Sequence, residues 1–291
     1  MRQYIRRQAE NKQDSCQYGE AKASLSLGCQ VRSNSNGFTL LELIMVIVIV
    51  GILAAMTTDI ITLPVKSYID LERRTTLVDS AEMALRRMQR DIRRALPNSI
   101  RITAGGTAIE WLHTSDGGRY RAELASDGTG NILKFISADI SFDVLSPLIA
   151  VPSGKLVIYN LGTSTADAYT GNNLANIAST STINSIVLSP AKFFPLQSPQ
   201  QRFFIVDTPI TYSCASGELR RYDNYSITSA APNLASLGYD LQAKANTLAC
   251  NFSYDSGTAT RAGLVTLEIT LTDEVGESAR LIHQVHVDNM P

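Results

Sequence analysis

The sequence predicts an α+β protein in which one long helix precedes a large antiparallel β-domain. Three observations support this prediction. Apolar residues run without a break over residues 38–56, apolar residues then recur every three or four positions up to Leu96, and the period changes to two beyond Pro97. We therefore expect helix before Pro97 and mostly strands after it.

The apolar run is the one membrane-spanning candidate in the sequence. Its 19 residues contain a single ionisable side chain, Glu42, and at about 1.5 Å per residue a helix of this length crosses the hydrocarbon core of a bilayer. A carboxylate there is costly, so Glu42 is expected to have a positively charged partner. Gly37 is small and flexible enough for a protease to accept, and cleavage after it creates an α-amino group four residues from Glu42.

These residues resemble a known signature. Gly37, Phe38, Thr39, Leu40 and Glu42, followed by the apolar run, are similar to the signature of type IV prepilins, a family that includes minor pilins and type II secretion pseudopilins. The resemblance implies a pilin fold, cleavage between Gly37 and Phe38 by a membrane-embedded prepilin peptidase, and N-methylation of Phe38. It also implies that Glu42 neutralises the N-terminal amine of a neighbouring subunit during assembly. The alternative is an ordinary signal anchor.

The charges are unevenly distributed, although the formal net charge of the chain is −1. Residues 1–37 hold six Lys or Arg and three acids, whereas residues 97–291 hold 12 basic and 17 acidic residues. By the positive-inside rule the N-terminus stays in the cytoplasm and the rest of the chain is exported. Together with this orientation, the prepilin resemblance implies a single-pass protein of the bacterial inner membrane. The exported part has no basic surplus for binding nucleic acid.

Residues 1–37 are predicted to be a leader that is absent from the mature protein. Leaders of this family are commonly a handful of residues, so this one is long. A start at Val31 would leave a short basic leader, and we therefore expect residues 1–30 not to be translated. A peptide from residues 1–30 in the uncleaved precursor would contradict this expectation.

The four cysteines lie on two sides of the apolar run. Cys16 and Cys29 precede it, whereas Cys214 and Cys250 lie in the exported part, where disulfides are permitted. We predict a bond between Cys214 and Cys250 that stabilises the fold by roughly 3 to 4 kcal/mol. Two unpaired core thiols are the alternative, and metal ligation is disfavoured because neither cysteine has a close second ligand.

The helix is predicted to continue beyond the membrane to residue 96. Pro64 is expected to produce a kink or a melted turn, and Pro97 to end the helix. The pairs Glu82–Arg86 and Arg87–Asp91 have four-residue spacing. The arginines of the last turns are either a contact for a neighbouring subunit or a solvated face. The predicted buried positions are Leu77, Val78, Ala81, Leu85, Met88, Ile92, Ala95 and Leu96.

Beyond Pro97 the alternating pattern predicts strands joined by turns. Glycine-containing turns are expected at 115–118, where they make a hairpin of strands 107–111 and 119–124, and at 127–130. A terminal hairpin is expected around a tip at 273–277. The other strands are predicted at 132–136, 155–160, 184–188, 202–206, 209–214, 218–222, 249–254, 264–271 and 279–287.

Two segments are predicted to be exposed loops. Residues 161–182 are rich in Ser, Thr, Ala, Asn and Gly, which indicates a surface loop or mobile insertion. Residues 225–247 form the second loop. These segments leave open an alternative function as a pilus-tip adhesin whose β-domain binds a surface or glycan.

The sequence contains no convincing catalytic or metal-binding set, and we expect neither enzymatic activity nor a cofactor. His283 and His286 are three apart in a predicted strand and therefore face opposite ways. His113 stands alone. Residues 127–131 have oxygens for calcium, yet a turn uses the same residue types, and the acids at 273–277 suit a solvated hairpin tip.

The predicted exported domain, residues 97–291, is large for a major pilin subunit and therefore favours a minor subunit. Residues 84–96 resemble the helix of J-type pseudopilins and their pilus counterparts, and three later stretches resemble minor pilins of mannose-sensitive haemagglutinin (MSHA) type IV pili. The predicted organisation is a leader at 1–37, a transmembrane helix at 38–63, its amphipathic continuation at 64–96 and a β-rich domain at 97–291. The expected partners are prepilin peptidase, other minor and major pilins and the membrane. A minor pseudopilin of type II secretion and a membrane-anchored enzyme are the alternatives.

Overall fold

A computed structural model describes residues 37–257 and 261–288, without the side chains of residues 58, 59 and 61. The predicted leader up to residue 36, with Cys16 and Cys29, lies outside the described residues, as does the end of the chain at 289–291. The chain divides into two compact units, Met1–Asp59 and Ile60–Pro291. The helix α1, Leu40–Ile92, contributes to both.

In the first unit, α1 begins directly after the Gly37-Phe38-Thr39 segment. Thr39 caps the helix because its Oγ1 accepts a hydrogen bond of 3.2 Å from the backbone N–H of Glu42. Among the described residues, α1 is the one helix that is long and apolar enough to cross a membrane, and none of its most apolar stretch is buried. A buried helix of a soluble core is therefore excluded as the explanation of this apolar run.

In the second unit, α1 continues through Pro64 to Ile92 and then stops earlier than predicted. Residues on both sides of Pro64 are helical, so the expected melted turn is absent. The predicted end at residue 96 is wrong by four residues. The N–H of Ala95 binds the carbonyl of Ile92 in a tighter turn, and the N–H of Leu96 then binds the carbonyl of Leu112 in a strand.

The predicted buried stripe of α1 is confirmed, except that Val78 is only half-buried against the core. One face of the helix from Leu77 onward enters the main hydrophobic core, whereas residues on the opposite face are exposed. The remaining core of this cluster comes from both larger sheets. The buried helical positions are Leu77, Ala81, Ala84, Leu85, Met88 and Ile92.

Twelve strands follow the helix in the described residues. They form a seven-stranded, a three-stranded and a two-stranded sheet, and every pairing is antiparallel, as predicted for this α+β fold. The strands are β1 Arg101–Thr103, β2 Ala108–Arg119, β3 Asp139–Asp143, β4 Lys155–Ile158, β5 Leu174–Asn176, β6 Ser185–Lys192, β7 Arg202–Ala215, β8 Glu218–Tyr222, β9 Asp240–Lys244, β10 Thr247–Asp255, β11 Gly263–Thr272 and β12 Ser278–Val287.

The longest strand, β7, organises the seven-stranded sheet. Along one edge it pairs with β2 from Arg202 to Ser213. Along the other edge its first half pairs with β4, and its second half pairs with β8, which continues to β9. The outer strands β1 and β5 pair with β2 and β4. The sheet is therefore branched at the middle of β7.

The predicted terminal hairpin is confirmed. β11 and β12 pair over their full length, and β10 lies on the other side of β11. Alternate residues of β11 are buried, which is the pattern of a sheet with one face on the core. At the tip, Asp273 Oδ1 accepts hydrogen bonds from the backbone N–H groups of Val275 and Glu277.

The hairpin predicted at 115–118 is wrong. β2 runs straight through these residues, and Gly117 and Gly118 pair with Phe204 and Phe203 of β7. A Cβ at Gly118 would lie 2.9 Å from the ring of Phe203, so glycine is required for close packing and not for a turn. The strands predicted at 119–124 and 132–136 are also absent except for Arg119, the end of β2.

The strands predicted at 202–206 and 209–214 are one strand, β7. Pro209 has no N–H to donate, and it lies opposite Leu112 beside an irregularity in the β2–β7 register, where the loss of one ladder bond is tolerated. Four short strands were not predicted: β1, β3, β5 and β9. Each has three to five residues, which is too short for a clear alternating pattern.

The segment 161–182, predicted to be a surface loop or mobile insertion, is exposed in part but is also packed into the domain. Ala166 and Ala168 are buried, and the segment contributes β5 to the sheet. Buried Asn160 anchors it, because its Nδ2 donates to the carbonyl of Pro97 and its Oδ1 accepts from the N–H of Ala168. The second predicted loop, 225–247, contains β9 and is partly ordered by contacts with Arg101.

The predicted disulfide is confirmed. Cys214 at the end of β7 is bonded to Cys250 in β10, with their Cα atoms 6.0 Å apart. The bond joins the seven-stranded sheet to the three-stranded sheet beside the main core.

Replacing both Cys214 and Cys250 by Ser is expected to lower the free energy of unfolding by roughly 3 to 4 kcal/mol, because the unfolded chain regains the freedom of a loop with sequence separation 36. Guanidinium denaturation of the two proteins measures the difference. A reductant is expected to bring the parent to the level of the variant and to leave the variant unchanged. Equal stability of the two oxidised proteins would contradict the prediction.

Candidate functional site

The candidate site lies at the start of α1. Gly37, Phe38 and Thr39 are outside any helix or strand, and the side chain of Phe38 is 80% exposed. A Cβ added at Gly37 would meet no atom within 4 Å, and the backbone there is not in the left-handed region. The fold therefore does not require glycine at position 37, so a requirement for it must come from a molecule that binds this segment.

Glu42 lies in the first turn of α1, where its negative charge is favoured by the helix dipole. Its backbone N–H is used by the Thr39 cap, but within the described residues its carboxylate has no hydrogen bond or ion pair. The side chain is exposed on the helix surface. Glu42 is thus available to a cation from another molecule.

The surface around Glu42 is apolar and exposed. Leu40, Leu41, Leu43 and the large side chains that follow are all exposed in the isolated chain. An apolar helix without internal cover needs lipid or other apolar helices around it. In such surroundings an unneutralised carboxylate is costly, whereas a carboxylate paired with an amine is strongly favoured.

The position of the Gly37–Phe38 bond directly before α1 determines which groups its hydrolysis would create. Hydrolysis of the Gly37–Phe38 amide leaves a carboxylate on Gly37 and a free amine on Phe38. The new amine would be the first atom of a chain that enters the helix two residues later.

Two of the three histidines considered in the sequence lie within hydrogen-bond distance of a carboxylate. His113 does not stand alone, because its Nδ1 lies 2.8 Å from Asp207 Oδ1 in β7. His283 Nε2 lies 3.0 Å from Glu82 Oε2 of α1. His286 is exposed on the opposite face of β12, which confirms that the two histidines face opposite ways.

Asp207 predicts a small dependence of stability on acid pH. Partial burial raises the pKa of its carboxyl, but hydrogen bonds from His113 and from the N–H of Thr208 outweigh burial and lower that pKa below its usual value. Such a group stabilises the fold above its unfolded pKa of about 3.9, and this contribution is lost as pH falls through the folded pKa.

We expect Asp207→Asn to lower the free energy of unfolding at neutral pH by at most about 1 kcal/mol, because the side chain is 45% exposed. The variant should also lose less stability than the parent as the pH falls below about 4. Urea denaturation at a series of pH values measures both effects, with Glu274→Gln at the exposed hairpin tip as the control. Parallel pH profiles for parent and Asp207→Asn would contradict the prediction.

Residues 127–131 form a turn. Asp127 Oδ1 accepts hydrogen bonds from the backbone N–H and the Oγ1 of Thr129, and these bonds lower the pKa of the Asp127 carboxyl. Asn131 instead binds Ser141 and Asp143. Within residues 37–257 and 261–288, no group of three or more His, Cys, Asp or Glu side chains is placed to hold a metal ion.

Two ionic networks, one half-buried and one buried, were not predicted from the sequence. The predicted Glu82–Arg86 pair is confirmed at 2.7 Å, but the predicted Arg87–Asp91 pair is not formed. Asp91 instead accepts hydrogen bonds from Tyr212 and Arg221, and burial followed by the Asp91 charge raises the pKa of Tyr212. This network binds α1 to the seven-stranded sheet.

The second network is centred on Glu110, which is 1% exposed. Its carboxylate accepts hydrogen bonds from Arg101 and Tyr225. The Arg101 guanidinium also lies over the ring of Tyr169 and donates to three backbone carbonyls at 228–230. These contacts stabilise the fold and leave no open acid or base, and no sequence spacing indicated them.

Comparison with known proteins supports the N-terminal site. The family model described as the prokaryotic N-terminal methylation motif matches residues 32–58, which include Gly37, Phe38 and Glu42. This match supports a type IV prepilin-like protein, and it suggests membrane anchoring, processing by a prepilin peptidase and association with other pilins. No curated protein and no solved structure matched the chain.

Proposed function

We propose that this chain is a minor pilin-like subunit that acts in the assembly, initiation or tip of an MSHA-type type IV pilus. The observation that carries the proposal is an exposed Glu42 carboxylate, without a partner in the described residues, one turn into an exposed apolar helix that follows the Gly37–Phe38 bond. The methylation motif over the same residues supports it. The protein acts by assembly and not by catalysis.

The resemblance to one MSHA biogenesis protein, MshO, supports the choice of pilus. It is carried by residues 202–214, which lie in β7, by residues 219–222 in β8, and by residues 283–291. The last stretch begins in β12, and its final three residues lie outside the described part of the chain. These stretches form central and terminal strands of the β-domain.

In this mechanism, prepilin peptidase hydrolyses the Gly37–Phe38 amide, and the amine of Phe38 is methylated. The apolar helix holds the subunit in the inner membrane, with the leader in the cytoplasm and residues 97–291 in the periplasm. The amine of a neighbouring subunit then meets Glu42, and the two charges neutralise each other where water does not screen them. The Cys214–Cys250 bond agrees with an exported domain.

The decisive experiment is N-terminal sequencing and mass measurement of the membrane-extracted mature protein. The proposal requires a chain that begins with N-methylated Phe38. A different N-terminus would leave only a single-pass envelope protein.

The motif is also compatible with a minor pseudopilin, so a second experiment is needed to identify the assembly. Deletion of the chain is expected to reduce MSHA-type pili and to leave type II secretion intact. Loss of secretion with normal pili would assign the chain to the secretion system. Normal pilus number with loss of adhesion would instead favour the tip adhesin.

A further inference from the structure

Two cavities adjoin on the surface of the second unit where α1 ends. One, of about 270 Å³, lies between the residues that follow α1, the end of β12 and β7. The other, of about 380 Å³, extends along β2 and β7, and both are lined by Thr114, Arg202 and Phe204. Their joint size is within the range of about 300 to 1,000 Å³ that is usual for ligand sites. We call the joint cavity the arginine groove, after the arginines that line it: Arg93, Arg94, Arg119 and Arg202.

The arginine groove is positively charged although the predicted exported domain has more acidic than basic residues. Its lining contains four arginines and one acidic residue, Asp288. Arg93 and Arg94 are exposed, and neither has an ion pair or a side-chain hydrogen bond in the parts of the chain that the structure describes. Arg119, at the other end, is exposed and donates from Nε to a backbone carbonyl, which does not neutralise its charge. The groove therefore attracts anions.

The middle of the groove offers a flat surface. Phe204 lines both cavities, and its side chain is half-buried, so part of the ring faces the groove. Gly117 lies opposite Phe204 in the β2–β7 register and is followed by Gly118, so the backbone of β2 is not covered by side chains there. The ring of a ligand is thus able to lie against Phe204 and the bare backbone.

One polar group in the lining lacks a partner. The hydroxyl of Thr114 is buried without a hydrogen bond to any residue in the ranges 37–257 and 261–288, whereas most buried polar groups have one. The β2–β7 register is irregular on both sides of Thr114, and irregularities of this kind often re-aim a side chain beside a binding site. Rotation about χ1 to another staggered rotamer would turn the hydroxyl toward a ligand in the groove.

We propose that the arginine groove binds an acidic saccharide, a sugar chain that carries carboxylate groups. Arg93 and Arg94 bind a carboxylate at one end, because each guanidinium presents paired donors to both carboxylate oxygens. Phe204 supports a sugar ring in the middle, and Thr114 forms a hydrogen bond with a ring hydroxyl. The site belongs to the β-domain, and it goes beyond the proposed function without depending on it.

The length of the groove favours a chain of sugars over a single ring. The backbone N–H of Thr114 is bonded to the carbonyl of Arg94, so this part of β2 lies beside the first arginine pair. Arg119 lies five residues further along β2, at a distance of about 17 Å in a strand. Arg119 therefore binds a second carboxylate of the same chain, more than one sugar ring away from the first.

Other anionic partners suit the groove less well. In this stretch β7 pairs with β2 and β4, and the outer edge of β2 is bonded to residues 94–96. No strand edge is therefore open here to an acidic peptide that binds through its backbone. A nucleic acid requires contacts with many phosphates, for which residues 97–291 have no basic surplus.

The test is the binding of fluorescent oligogalacturonate to the full-length protein in detergent, followed by fluorescence polarisation at an ionic strength of about 0.15 M. Methyl-esterified oligogalacturonate is the matched control ligand, because it keeps the rings and hydroxyls and loses the charge. Polyglutamate has the carboxylates without the sugar rings. Both controls should bind at least about tenfold more weakly than oligogalacturonate.

A pair of arginine substitutions tests the positive end of the groove. Arg93→Gln with Arg94→Gln should lower the affinity for oligogalacturonate about tenfold or more, because charged hydrogen bonds are lost. Arg74→Gln with Arg90→Gln is the matched control: it removes the same charge from exposed arginines of α1 that do not line the groove. The control should change the affinity less than about twofold, because distant charges are screened at this ionic strength.

Thr114→Val separates binding from folding. It keeps the shape of the side chain and removes a hydroxyl that has no hydrogen bond within the described residues. The affinity for oligogalacturonate should fall about threefold or more, whereas the free energy of unfolding should not decrease. An unchanged affinity would overturn the place of the ligand beside Thr114.

Three other results would overturn the inference: no binding of oligogalacturonate to the parent protein, equal binding of its methyl ester, or an equal loss of affinity in both arginine pairs. Tighter binding of polyglutamate would also overturn it and would assign the groove to an acidic polypeptide. None of these measurements depends on cleavage after Gly37, so the proposed function is tested separately.

Discussion

Gly37→Leu is expected to abolish processing, so that the variant accumulates as the uncleaved precursor. The structure gives no reason for glycine at this position, because a side chain there meets no atom of the protein. Under the proposed function the requirement lies in the prepilin peptidase, which must accept the residue before the cleaved bond in an extended conformation. The measurement is gel mobility of membrane extracts, supported by the mass of the N-terminal peptide.

Gly51→Leu is the matched control for this experiment. Gly51 is also a glycine whose added Cβ meets no atom within 4 Å, but it lies within α1 and away from the scissile bond. The control should be cleaved like the parent. Normal cleavage of Gly37→Leu would show that the Gly37–Phe38 bond is not the processing site.

Glu42→Ala is expected to leave cleavage intact and to reduce incorporation into the assembled pilus by about a hundredfold. Breaking an ion pair in a low-dielectric environment costs about 3 kcal/mol or more, and each 1.4 kcal/mol is about tenfold. Alanine retains the backbone N–H that Thr39 caps, so the start of the helix is preserved. Immunoblots of sheared pili against total membranes measure incorporation.

Glu42→Asp keeps the charge and is the control for the loss of the carboxylate, whereas Glu42→Gln keeps the size and removes the charge. We expect Glu42→Gln to be incorporated into pili as poorly as Glu42→Ala, and Glu42→Asp to be incorporated better than either. The reason is that the amine of the neighbouring subunit requires a negatively charged partner. Normal piliation by Glu42→Ala, with the protein present in the pili, would exclude the assembly role of Glu42.

Features set by short-range chemistry were predictable from the sequence. The apolar run with Gly37 and Glu42, the buried stripe of α1 and the terminal hairpin depend on residues close together in the chain, and the structure contains the helix and hairpin as expected. The Cys214–Cys250 bond was predictable because the expected export of residues 97–291 places only these two cysteines in an oxidising compartment.

Features set by distant partners were not predictable. Gly117 and Gly118 have the composition of a turn, yet they provide space for β7 in a continuous strand. Asp91 had a suitable arginine four residues away but binds Arg221 instead, a choice that depends on how β8 packs against α1. The pairing of His113 with Asp207 similarly depends on the β2–β7 register.

The branch point in β7 has a consequence for the cooperativity of the β-domain. β2 pairs with β7 along one edge, and β4 and β8 pair with different halves of the other edge, so the loss of β4 or β8 alone leaves β7 paired with β2. Complete loss of the seven-stranded sheet therefore requires the release of β7 from strands on both of its edges. The backbone amides of β7 would then be the last in the domain to exchange with solvent.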